Sequence, residues 1–173
     1  MAYNRSADKS QFNAYKSRLG ADAPKKFAEF QQIKYNDSKQ YADLVGYYIY
    51  KGENPESGHN FYEANKAIQQ LRSDGGIKAT GTIVAPPHGN RVKTLNDHAK
   101  LRFAERDITQ AWAQGIVDGA DFALKQRLGT QYVYYSNGGM VVLNDIGEIG
   151  TAGTLDEQGK LLYDEVMKYV GKQ

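Results

Sequence analysis

The sequence predicts an α+β protein, and three observations carry that prediction. Helical spacing of apolar residues fills the first part of the chain, and alternating apolar and polar residues appear only after Ile77. Two glycine-bearing turns then join the later apolar runs as hairpins. The change of character falls at Gly75-Gly76. Residues 1–76 are therefore expected to form a helical N-terminal portion, and residues 77–173 a small antiparallel sheet packed against helices.

In the first portion, Phe12, Tyr15 and Leu19 give a short apolar helix face stopped by Gly20. Asp22-Ala23-Pro24 starts a second helix with proline in its first turn, and Phe27, Phe30 and Ile33 form its buried side. Asp37 or Ser38 caps a third, with Tyr41, Leu44, Val45 and Tyr48 on one face. The run Lys51–Gly58 is turn-forming. A fourth helix over Phe61–Arg72 presents Phe61, Ala64, Ile68 and Leu71.

Downstream, Ile77–Val84 reads as a strand followed by the loop Pro86–Arg91. Thr94-Leu95-Asn96-Asp97 supplies capping side chains and an acid for a helix whose apolar stripe is Leu101, Ala104 and Ile108. Thr109 caps the next helix, which carries Trp112, Ile116 and Val117 and ends at Gly119. Strands follow at Phe122–Arg127, Tyr132–Tyr135 and Val141–Asn144, with turns at Leu128-Gly129-Thr130 and Ser136–Gly139. Asp145-Ile146-Gly147 leads into a short strand, Glu148–Thr151, and Asp156 caps a last helix with Leu162, Val166, Tyr169 and Val170 on one side.

The composition narrows the chemistry. The 173 residues include no cysteine, so disulfides and thiolate chemistry are excluded. The first residues lack a hydrophobic signal core and no apolar run reaches membrane-spanning length. The expectation is a cytoplasmic protein, or one on a particle assembled there, with no membrane partner. A net charge of +2 means that any nucleic-acid surface must be a local patch. The chain has no P-loop, dinucleotide fingerprint, HExxH or EF-hand, and no carboxylate cluster suited to two metals. No cofactor and no metal are expected.

The candidate patch lies between Thr94 and Arg127. His98, Arg102 and Arg106 recur at i, i+4 and i+8, with Glu105 beside them. Lys125 and Arg127 alternate with Phe122 and Leu124 along a strand, and the upstream loop adds His88, Arg91 and Lys93. Such a gathering suits phosphate. It also has a plain reading: Arg102 and Arg106 pair with Glu105, Asp107 or Asp97 on a solvated helix, and Lys125 and Arg127 guard a sheet edge.

The pattern His98-x3-Arg102-x3-Arg106, followed by Ile108-Thr109 and then strands, resembles the C-terminal nuclease-like domains of phage minor head proteins. Those domains belong to the barnase–EndoU–colicin–RelE-like group of small metal-independent ribonuclease folds. The segment Phe27–Asp37, FAEFQQIKYND, looks like the linker that joins the body of such proteins to their tail domains.

The resemblance implies a ribonuclease-like α+β domain that cleaves RNA by attack of its own 2′-OH, in a bacterial host or on a virion. The alternative it implies is a non-enzymatic head component that binds DNA or a portal protein.

Metal-independent cleavage requires a base, an acid and cations at the phosphorus. His98 is the expected acid or base, because imidazole titrates near neutral pH. Arg102, Arg106 and Lys125 are expected at the phosphate, and Thr151 supplies a hydroxyl, as the resemblance implies. Arg127, Arg91, Lys93, Tyr132 and His88 are the expected substrate contacts, and His88, Glu105 and Tyr132 are the candidates for a second proton-transfer group. Convergence of His98, Arg102 and Lys125 in one cleft favours the enzyme, and divergence or internal pairing favours binding.

Overall fold

The computed structural model describes residues 5–19, 27–36 and 38–171. The chain divides into two compact units, Met1–Glu56 and Ser57–Gln173. The first contains helices α1 (Arg5–Leu19), α2 (Phe27–Asn36) and α3 (Ser38–Glu53). Its centre is aromatic. The buried Phe12 ring lies 5.6 Å from Phe27 and 5.4 Å from Phe30, and Phe30 meets Tyr41 edge-on at 5.8 Å. Gly20, Asp22-Ala23-Pro24 and Asp37, expected as helix boundaries, lie outside the described residues.

The second unit begins with α4 (His59–Ser73) and continues β1 (Thr82–Val84), β2 (Thr94–Leu95), α5 (Asp97–Arg106) and α6 (Gln110–Asp118). Then come β3 (Phe122–Gln126), β4 (Gln131–Ser136), β5 (Gly139–Asn144), β6 (Glu148–Gly153) and α7 (Glu157–Val170). The six strands form one sheet in the order β1-β3-β4-β5-β6-β2. All neighbours are antiparallel except β2 and β6, which are parallel.

Strand alternation sends side chains to two cores. Ala123, Tyr134, Val141 and Leu143 pack with Ala99 and Phe103 of α5 and Ala113, Ile116 and Val117 of α6. Phe122, Leu124, Val133 and Tyr135 pack with Ala64 and Ile68 of α4 and Leu162 and Val166 of α7. Helices therefore cover both faces of the sheet, and the α+β class expected from the sequence is the one observed.

Helix α4, expected in the helical N-terminal portion, lies in the second unit, because its apolar stripe is buried against α7 and the sheet. The expected strand Ile77–Val84 shortens to Thr82–Val84. In the segment before it, Arg72 donates from Nε to the Ala79 carbonyl (2.9 Å) and from Nη2 to the Gly81 carbonyl (3.0 Å). At β1 itself, Asn65 accepts from the Ile83 amide (2.8 Å) and donates to the Ile83 carbonyl (2.7 Å).

Thr94-Leu95, expected as a helix start, is the two-residue strand β2. Asn96 is the cap, its Oδ1 accepting from the Ala99 amide at 2.8 Å. The Asn96 amide donates to the Ile149 carbonyl (3.1 Å) and so fixes the start of α5 on β6. Ala99 and Phe103 are the buried residues of α5 and Leu101 is left 66% exposed, so of the expected stripe Leu101, Ala104 and Ile108 only Ile108 packs against the α5–α6 core. A bulge between Val142 and Leu143 skips Gly150, and for this reason both Ile149 and Ala152 reach the core under α5. Thr109 caps α6 through the Trp112 amide (3.0 Å) and Asp156 caps α7 through the Gly159 amide (2.7 Å), as the sequence predicts. Among the described residues no helix is long and apolar enough to cross a membrane.

Candidate functional site

Where β6 ends and α7 begins, the second unit has an open cavity of about 430 Å³ whose polar lining includes Arg106, Tyr135, Thr151, Thr154, Asp156 and Gln158. Arg106 is the last residue of α5 and reaches around β6, where Nη1 donates to the Ala152 carbonyl. It can lie there because residue 153 is glycine: a Cβ on Gly153 would stand 2.7 Å from that nitrogen. No carboxylate lies within ion-pair distance of Arg106 among the described residues, so most of its fork is left for a ligand.

Thr151 shares its sheet face with Val142, and with Tyr135 and Met140 it forms the strand side of the cavity. The Tyr135 ring stacks on Phe122, with centroids 5.0 Å apart and planes within 6°. Burial pushes its phenol up to about 12, the negative charge of Asp156 adds to the shift, and the Arg72 guanidinium opposes it. Tyr135 therefore keeps its hydroxyl hydrogen over the neutral range and serves as a hydrogen-bond donor. Asp156 spends Oδ1 on the Gly159 amide, and Gln158 accepts from the Lys78 amide at 3.3 Å. The cavity combines one cation, two threonine hydroxyls, a phenol and a carboxylate. That donor-rich set suits an oxyanion bearing a neighbouring hydroxyl.

Of the five residues expected to act in catalysis, Arg106 and Thr151 are brought together. His98 is exposed in the first turn of α5, and eight residues of helical rise, about 12 Å, separate it from Arg106. Arg102 is exposed and pairs with Glu105 at 3.1 Å, the solvated ion pair of the plain reading. Lys125 lies on the α5–α6 side of the sheet and Thr151 on the α4–α7 side. Three strand spacings, about 14 Å, also lie between their strands. His98, Arg102 and Lys125 therefore do not converge.

The expected substrate contacts sit elsewhere. Tyr132 is half-buried against the α5–α6 core, 6.2 Å from the Tyr134 ring. Arg127 is exposed at the β3–β4 turn, and His88 is exposed in its loop. Arg91 and Lys93 line a second, smaller hollow of about 250 Å³ with Asn90, Asn144, Asp145 and Gly147. Tyr135, Thr154 and Gln158 join the site without a catalytic motif to mark them, and Asp156 reads from the sequence only as a cap. The available signal was local: Thr154-x-Asp156-x-Gln158 puts three polar side chains at a helix start directly after a glycine.

No family model, no curated protein and no solved structure matches this chain.

Proposed function

We propose that the Ser57–Gln173 unit binds RNA, holding a backbone phosphate between the Arg106 guanidinium and the hydroxyls of Thr151 and Thr154. The carrying observation is the convergence of Arg106, without a carboxylate partner among the described residues, and Thr151 in one open cavity. Its volume, about 430 Å³, lies within the roughly 300–1,000 Å³ usual for small-molecule sites. Asp156 favours ribose over deoxyribose. Its charge is offset by the amino terminus of α7, and the oxygen not used on Gly159 can accept from a 2′-hydroxyl.

The test is fluorescence anisotropy with a labelled single-stranded RNA and its DNA counterpart. RNA should bind more tightly. Arg106→Gln should weaken RNA binding by about tenfold or more, the usual scale for losing a charge-assisted hydrogen bond. It should also flatten the salt dependence, since a phosphate-bound cation releases counterions. Wild-type affinity in Arg106→Gln would defeat the reading.

Strand cleavage is a second reading, favoured by the presence in one cavity of Arg106, expected at the phosphate, and Thr151, whose hydroxyl the nuclease resemblance implies. Tyr135 could donate to a leaving oxygen, but the carboxylate in the cavity, Asp156, is already engaged as the α7 cap through the Gly159 amide. Binding without turnover is therefore the leading reading. Incubation of RNA with the protein and chelator separates them: a 2′,3′-cyclic phosphate product that Arg106→Gln abolishes would bring cleavage to the front.

A further inference from the structure

The end of the sheet opposite the β4–β5 hairpin collects three loops. Gln126, Gln131 and Asn144 pair in a row across β3, β4 and β5, so the β3–β4 and β5–β6 turns emerge side by side. The Asp145 amide donates to the Thr130 carbonyl at 2.8 Å and ties the two turns together. The Lys93 amide donates to the Gly147 carbonyl, also at 2.8 Å, and adds the loop before β2. That loop is fixed from behind: Gln114 accepts from the Val92 amide (2.7 Å), and Asn90 donates to the buried Tyr134 hydroxyl.

Two large aliphatic side chains stand out from these turns, Leu128 at full exposure and Ile146 at 68%. Leu128 is held outward by backbone that a leucine rarely adopts, with φ at 49° for Arg127 and 57° for Leu128. Around them are Arg91, Lys93 and Arg127, all exposed, against one exposed acid on the same tips, Asp145. The hollow of about 250 Å³, lined by Arg91, Lys93 and Asp145 among others, is bounded by Asp145 and Gly147, the two chain neighbours of Ile146.

We propose that this end of the sheet docks on an anionic lipid surface. Leu128 and Ile146 enter the boundary between headgroups and acyl chains, and Arg91, Lys93 and Arg127 hold the lipid phosphates. The hollow next to Ile146 receives one headgroup. Lipid fits better than single-stranded nucleic acid because the large apolar groups exposed here are aliphatic, whereas unpaired bases stack on aromatic rings. The surface is separate from the Arg106 cavity and does not depend on the RNA-binding reading.

The test is co-sedimentation of the full chain with vesicles of phosphatidylcholine, alone or mixed with phosphatidylglycerol. Pelleting is expected with the mixed vesicles at low salt and not with phosphatidylcholine alone. The paired substitutions Leu128→Ser and Ile146→Ser, both at exposed positions, should lower binding about tenfold or more. Arg91→Glu with Lys93→Glu should do the same. Arg106→Gln should pellet as wild type, which keeps this result apart from that of the RNA experiment.

Failure to pellet with the mixed vesicles, or equal pelleting of the Leu128→Ser/Ile146→Ser protein, overturns the proposal. So does a loss of RNA affinity in that double variant that matches its loss of lipid, because the end would then be a nucleic-acid surface. A dimer in sedimentation velocity that the same substitutions dissolve would assign the aliphatic tips to a second copy of the chain and likewise overturn it.

Discussion

Tyr135 holds its proton more tightly in the folded chain than an ordinary phenol does, with a value near 12 against the usual 10.0. Below pH 10 both folded and unfolded chains are protonated there, and the benefit to the fold is complete. Between about pH 10 and 12 the unfolded chain releases the proton first, so stability falls as pH rises. Tyr163 acts in the same direction, also pushed up to about 12, by burial and by its hydrogen bond to Asp121. Tyr135→Phe should therefore give a shallower fall of melting temperature with pH over that alkaline window, and an identical slope in wild type and variant would contradict the burial argument. Leu128 makes a second residue-scale case. Its left-handed backbone costs a leucine about 1 kcal/mol that glycine avoids, so Leu128→Gly should raise stability by up to that amount in urea denaturation.

At the scale of the elements, the caps are the local devices that fix helix starts. Thr109→Ala should destabilise the second unit by about 1 kcal/mol, seen as a shift of the urea midpoint without a change of slope. Signals of this kind were legible in the sequence because they act over three or four residues. Thr109 and Asp156 were read directly, as were Gly119 and both hairpin turns. What could not be read depends on distant backbone. Thr94-Leu95 looks like a helix start until β6 lies beside it to make a parallel ladder. On α5 two apolar stripes compete in the sequence, and the one that is buried, Ala99 and Phe103, is the one that meets β6 where the Asn96 amide anchors the helix start on the Ile149 carbonyl.

The candidate site was half legible for the same reason. Arg106 and Thr151 are far apart in the chain and meet only around the edge of β6, at a glycine whose role no spacing rule reveals. Lys125 has the right chemistry on the opposite face of the sheet.

For the whole molecule, the division at Glu56/Ser57 has a direct consequence. Helix α4 completes the core beneath β1 and α7, and the Ser57 hydroxyl accepts from the Ala85 amide at 2.8 Å. A fragment of residues 57–173 should fold alone, with a cooperative thermal transition and dispersed amide resonances. A fragment starting at Ile77, the boundary suggested by composition, should not. It lacks Ala64 and Ile68, and stripping such side chains from a core costs several kcal/mol out of a total stability of about 5–15 kcal/mol. Equal folding of the two fragments would contradict this assignment of α4.

The amide of Asn65 has a meaning beyond its two hydrogen bonds. It meets Ile83 as a neighbouring strand would, and at the other side of the sheet Arg106 occupies the Ala152 carbonyl where β2 has ended. Two side chains thus stand in for the strands that an open sheet would otherwise recruit from other molecules. At these two places the sheet edge is blunted by chemistry that leaves no mark in its hydrophobic pattern. Asn65→Ala should turn β1 into a template, and the altered chain should form thioflavin-positive fibrils at concentrations where the parent solution stays clear.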